Sequence, residues 1–130
     1  ALLPPAVRQQ LRTDYEEATA LCFKVGYQSC RELREATKVE WEDKGLTAAD
    51  LATLAKLGSV LPALKYLTLI ETSGSAGPDG VQRLAEGLVA GALPAVTHLT
   101  MIRMHVGDAG ASALAAALDR GALPRLESLL

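Results

Sequence analysis

The sequence predicts an α/β chain: a short solenoid of strand–loop–helix units with a parallel sheet on its concave face, preceded by a helical N-terminal segment. Three observations carry this. Leu33, Leu61, Leu93 and Leu123 recur at spacings of 28, 32 and 30 residues, and Pro62, Pro94 and Pro124 follow the last three. After each landmark comes a short alternating segment, Val39 and Trp41, Leu67 and Leu69, Leu99 and Met101, with Leu129 opening a fourth. Period-two alternation is a strand buried on one side. The third observation is a fall in charge density: residues 1–45 hold 7 basic and 8 acidic side chains, residues 46–130 only 6 and 7. A solvated helical part therefore precedes a packed array.

Composition narrows the function classes. A chain of 130 residues forms one core and is too short for two ordinary domains. With 13 basic against 15 acidic residues it has no cationic excess to release counterions, which argues against nucleic acid as a partner. A mean hydropathy of +0.18 lies far from the disordered corner. No apolar run reaches the roughly 18 residues of a membrane span; Lys65, Glu71, Arg83 and Glu86 interrupt the longest stretches. Leu (23) and Ala (22) dominate while aromatics are 4%, so thin elements stacked closely are expected rather than a core of large rings.

In the first part, Val7, Leu11, Tyr15, Ala18, Cys22 and Val25 form a helical stripe over residues 5–25. Pro4 and Pro5 suit the first turn, where a missing N–H costs nothing, and Gly26 suits the stop. Arg8, Arg12, Glu16 and Lys24 occupy the opposite, solvated face; their mixed signs lack the basic bias of a membrane-surface helix. A second helix is expected from Ser29 to Ala36, with Ser29 as N-cap and Arg31 paired with Glu35. Cys22 and Cys30 on one continuous helix would stand about 12 Å apart, beyond bridging range. A turn at Gly26 would bring them together, so both forms stay open. The expectation taken forward is a reduced, buried pair, as in intracellular proteins, and hence an intracellular rather than a secreted chain. No asparagine is present to carry an N-glycan, and the sequence shows no basic-then-apolar leader, so the expectation is that any targeting segment has gone or was never included.

Each later unit continues from strand to loop to helix. Thr47 with Asp50 forms a capping-box pair, Gly77 and Pro78 suit a first helical turn, and Asp108 after Gly107 lies where a helix dipole favours an acid. The helices are expected to bury Leu51, Leu54 and Leu57; Leu84 and Leu88; Leu114 and Leu118. One such unit of about 30 residues cannot bury its own apolar face, so the units must stack.

The stretches LPALKYLTL, LPAVTHLTM and LPRLESLL superpose without gaps, and LREATKVEW is a more diverged copy. With a G-[PD]-x-G loop and a leucine-bearing helix in phase behind them, residues 33–130 resemble leucine-rich repeats of the ribonuclease-inhibitor-like class. Residues 1–32 would then be a helical N-terminal cap shielding Val39 and Trp41, and 33–130 about three repeats plus the start of a fourth. Where that family places an asparagine that ties the turn, this sequence has Lys44, Thr72 and Met104, which implies a degenerate array. The pair Leu129 and Leu130 falls in mid-strand, which predicts further repeats or a covering chain.

Four groups of residues are candidates for chemistry. The glycine-rich residues 74–80 lack the Gly-Lys-Ser/Thr ending of a phosphate loop. His98 lies on an exposed strand side and His105 in the next loop, without the convergent ligands of a metal site. Cys22 and Cys30 sit too many units away from either histidine to form a nucleophile pair, and Glu40, Glu42 and Asp43 lie among Lys38 and Lys44 as a mixed-charge rim. The expectation is therefore no enzyme, no cofactor and no metal.

What remains is a surface. In the repeat frame Lys38, Tyr66, His98 and Ser128 align; so do Glu40, Thr68, Thr100 and Leu130; so do Glu42, Ile70 and Ile102. The resemblance implies binding of other protein chains by this concave strand face, through Tyr66, Thr68, Ile70, His98, Thr100 and Ile102, with Tyr66 as anchor. Ile70 and Ile102 are expected exposed, unless loops or neighbouring repeats cover them. A stable structural or tethering subunit of a larger assembly is the alternative.

Overall fold

The computed structural model describes residues 3–71 and 76–129. Its elements run α1 (Pro5–Lys24), α2 (Cys30–Glu35), β1 (Lys38–Glu42), α3 (Ala48–Leu57), β2 (Tyr66–Ile70), α4 (Gly80–Gly87), β3 (His98–Ile102), α5 (Gly107–Asp119) and β4 (Ser128–Leu129), with a 3-10 turn at Gly58–Val60. The fold is α/β. The four strands form one parallel sheet in the order β1-β2-β3-β4, and α3 packs on α4 as α4 packs on α5.

Helix α1 starts where proline lets it, with Arg8 N–H donating to the Pro4 carbonyl at 3.0 Å. It stops at Gly26, whose φ of 102° is open to glycine. There Tyr27 N–H reaches back to the Cys22 carbonyl and Gly26 N–H to that of Phe23, a Schellman closure. The reversal sends α2 back beside α1, and this corrects the expectation for the cysteines: Cys22 and Cys30 are joined in a disulfide across a Cα separation of 5.5 Å. Such bridges persist in oxidising compartments. The reason for expecting a reduced pair in an intracellular chain is thereby removed. Ser29 does hold the N-cap position of α2, but its side chain makes no capping hydrogen bond; Glu32 takes the Gln28 N–H instead.

In the strands, Val39, Trp41, Leu67, Leu69, Leu99 and Met101 face one buried side and join Leu51, Leu54, Leu84 and Leu114 of the helices in a single core. Trp41 is closed over by Tyr27, edge-on at 6.4 Å between ring centroids. Register is locked just before each strand. The Thr37 carbonyl accepts from the N–H groups of both Lys65 and Tyr66 (2.8 and 3.2 Å). The Lys65 carbonyl does the same for Thr97 and His98 (2.9 and 3.3 Å), and that of Thr97 for Glu127 and Ser128 (2.8 and 3.0 Å). A second link sits at the landmark leucines: Leu93 N–H donates to Gly58 and Leu123 N–H to Ala92, each at 2.9 Å. Both leucines hold φ at 51°, a costly region for a branched side chain. Their complete burial and these two hydrogen bonds offset that strain.

The helices approach closely because their contact residues are small. On α3, Ala55 Cβ would stand 2.7 Å from a Cβ on Gly87, and Leu51 Cδ1 3.1 Å from one on Gly80. This is the physical use of the alanine and glycine excess. Arg120 bridges two units, donating to the Ala85 and Leu88 carbonyls at 2.9 and 2.8 Å, where the C-terminal end of α4 needs donors. Some expectations shift at the margins. Pro78 precedes the N-cap of α4, Asp79, rather than sitting in its first turn. Leu57 is half-buried at the end of α3, and Leu118 is 38% exposed because nothing among the described residues packs on the outer side of α5.

Helix α3 carries the complete capping box: Asp50 N–H donates to Thr47 Oγ1 at 3.2 Å and Thr47 N–H to Asp50 Oδ2 at 3.0 Å. Burial alone would raise the Asp50 carboxyl, but Lys24, 2.6 Å away, and the Thr47 N–H hold it below its ordinary value of 3.8. A carboxyl lowered on folding stabilises the fold above its unfolded value and loses that contribution as pH falls through the folded one. Wild type should therefore exceed Asp50→Asn in urea denaturation at pH 7, and the gap should close below pH 3.8; an unchanged gap in acid contradicts the pairing. Gly87→Val should cost about 1–3 kcal/mol by overpacking, although valine is no worse than glycine in an isolated helix. Retention of wild-type stability in that variant would show that α3 and α4 are not in contact there.

Candidate functional site

Three elements build one uncovered sheet face. In β1, β2 and β3 the residues between the buried ones point away from the core, and the strand register sets them in rows. Lys38, Tyr66, His98 and Ser128 form the first row; Glu40, Thr68 and Thr100 the second; Glu42, Ile70 and Ile102 the third. All six residues singled out from the sequence thus lie together on two neighbouring strands. Leu130, expected in the second row, lies outside the described residues, as does Thr72.

The first row is organised by ring contact. Tyr66 and His98 stack at 5.1 Å between centroids with their planes tilted by 33°. His98 Nδ1 lies 2.8 Å from Thr97 Oγ1, which in turn lies 3.4 Å from the Lys65 carbonyl. A hydroxyl has one proton. If Thr97 donates it to Lys65, the hydroxyl accepts from an Nδ1–H and the acceptor of the His98 ring is Nε2. Tyr66 remains 45% exposed and Ile102 41%. Ile70 is half-buried rather than exposed, since its neighbours on β1 and β3 flank it from both sides.

The edge at β1 is acidic. Glu40 and Glu42 are exposed, and Lys38 stands 3.9 Å from Glu40. Beyond the strands, Asp43 N–H donates to the Ile70 carbonyl at 2.8 Å and Glu71 N–H to that of Ile102 at 3.2 Å, which continues the strand alignment into the loops. Chemically the face offers a central pair of threonine hydroxyls between the Tyr66–His98 ring pair and the Ile70–Ile102 pair, with carboxylates along the β1 edge. Among the described residues no group of three or more His, Cys, Asp or Glu is arranged to hold a metal ion, and no helix is long and apolar enough to cross a membrane. Gly74 and Ser75 of the glycine-rich stretch lie outside the described residues.

Two features went unread in the sequence. Glu71 is 1% exposed, with Oε2 accepting the Leu46 N–H at 3.3 Å, so a carboxylate helps tie the loop after β1 to the one after β2. Its only sequence sign was a charge at the position following a strand. The other is the exposure of Val7 (44%), Leu11 (54%) and Tyr15 (74%): the stripe on α1 was legible, but not that the protein body covers only its far end. Compared with protein-family models, curated proteins and solved structures, the chain matches none.

Proposed function

We propose that this chain is a degenerate leucine-rich-repeat solenoid, with residues 1–32 as its cap and residues 33–130 as its repeats, and that it is a non-catalytic module binding another protein chain through the concave strand face. The observation that carries this reading is the alignment of Tyr66 with His98, Thr68 with Thr100 and Ile70 with Ile102 on an uncovered face. Solvated sheet faces commonly carry polar side chains, and the adjacent Ile70 and Ile102 depart from that pattern. Tyr66 combines a large contact area with a polar tip, which suits an anchor, and its stack on His98 limits the side-chain freedom lost on binding. The carboxylates of Glu40 and Glu42 at one edge favour a partner that sets basic residues beside its apolar ones.

A second reading has its own support. At the far end of the sheet Met101, Val106, Leu114, Leu118 and Leu129 line an almost wholly apolar groove. A structural subunit held in a larger assembly would use such a surface permanently.

The test replaces the apolar row with charge. Ile70→Asp combined with Ile102→Asp should abolish capture of protein partners from the source extract, while the circular dichroism spectrum stays that of wild type. Loss of capture with the fold intact supports the strand face. Unchanged capture refutes it, and Leu118→Asp then tests whether the apolar groove is the contact.

A further inference from the structure

Strand β1 is the first strand of the sheet, and among the described residues no strand pairs with its outer edge. Along a parallel pair, alternate residues turn both of their backbone groups toward the same neighbour. The Thr37 carbonyl accepts from Tyr66 and the Asp43 N–H donates to Ile70, so the odd-numbered residues of β1 face β2. The N–H and C=O groups of Lys38, Glu40 and Glu42 therefore face outward along the edge. Among the described residues they meet no backbone partner there. The same three residues set their side chains on the open side of the sheet, where all three are exposed.

Proteins commonly blunt such an edge with a proline, a bulge or lysines, because a free row of N–H and C=O groups is a template for another strand. Strand β1 has no proline, and its pairing with β2 is unbroken from Lys38 to Glu42. The first positive φ falls at Asp43, just past the strand. Its one lysine stands at the first position. The rest of the exposed row is acidic.

Charge then narrows what this edge accepts. Lys38 Nζ lies 3.9 Å from Glu40, and none of the ion pairs among the described residues includes Glu42. On the core side Val39 and Trp41 are buried, and the half-buried ring of Tyr27 stands edge-on to Trp41. An added strand would set one row of side chains beside Glu40 and Glu42 and the other on the side of Tyr27. Opposite charges across a strand pair stabilise it and like charges destabilise it. The fitting sequence alternates basic and apolar residues.

From this juxtaposition we infer that the outer edge of β1 is a strand-addition site, which takes an extended segment of a partner protein with basic and apolar residues in alternation. Backbone hydrogen bonds to Lys38, Glu40 and Glu42 supply the hold, and the two carboxylates select the segment. The site lies beside the Tyr66–Ile102 face and does not require that face to hold a partner, so it stands apart from the proposed function.

The probe is a short acetylated and amidated peptide of alternating lysine and valine, added to the whole oxidised chain. The expected result is saturable binding that slows amide exchange at Lys38, Glu40 and Glu42 by about tenfold or more. Glu40→Gln combined with Glu42→Gln should raise the peptide dissociation constant about tenfold, as for the loss of two cross-strand ion pairs, with an unchanged circular dichroism spectrum. The same peptide N-methylated along its backbone keeps its charge and should not bind. Absence of binding at millimolar peptide overturns the inference. So does equal binding of the N-methylated peptide, since charge alone would then hold it, or new protection at β4 instead of β1. Protection of the β1 amides without peptide, in a dimer seen by sedimentation equilibrium, gives the edge to a second copy and overturns it as well.

Discussion

One hydrogen-bonding arrangement governs this molecule: the carbonyl just before each strand accepts two N–H groups from the start of the next. Thr37, Lys65 and Thr97 each do this, and the strand pairs behind them are aligned without offset. In a sheet buried on one side, a slip of one residue would turn every buried side chain outward. The lock therefore decides two things at once. It sends Val39, Trp41, Leu67, Leu69, Leu99 and Met101 into the core, and it collects Tyr66 with His98 and Ile70 with Ile102 on the other side.

The helices follow from that alignment. Strands pair at about 4.8 Å, whereas helices normally pack 8–10 Å apart. Keeping successive helices in step with paired strands requires the closest helix approach the side chains allow. Gly87 against Ala55 is the clearest result, with no room for one more carbon. Leu93 and Leu123, strained at positive φ, mark the same demand at the other end of each connection.

Much of this was legible because it repeats. Four leucines in phase and an alternating segment behind each place the strands and their register, and Thr47 with Asp50 announces its own cap. The features that escaped depend on contacts between distant residues. The disulfide needed the turn at Gly26 to reverse the chain, and eight residues of sequence separation do not reveal direction. Leu118 obeys the helical period yet stays 38% exposed, since periodicity reports which side is apolar, not what covers it. The same limit hid the bareness of Val7 and Leu11, and the half-burial of Ile70 came from flanking strands rather than from its own segment.

The alignment of the open face is best measured in solution, by nuclear Overhauser contacts between backbone protons of β2 and β3. The account predicts contacts linking Tyr66 with His98, Thr68 with Thr100 and Ile70 with Ile102, together with slow amide exchange at Tyr66 and His98. Contacts of Thr68 with Leu99 or Met101 instead would contradict it, because the strands would then be out of register and the rows of the open face would not exist.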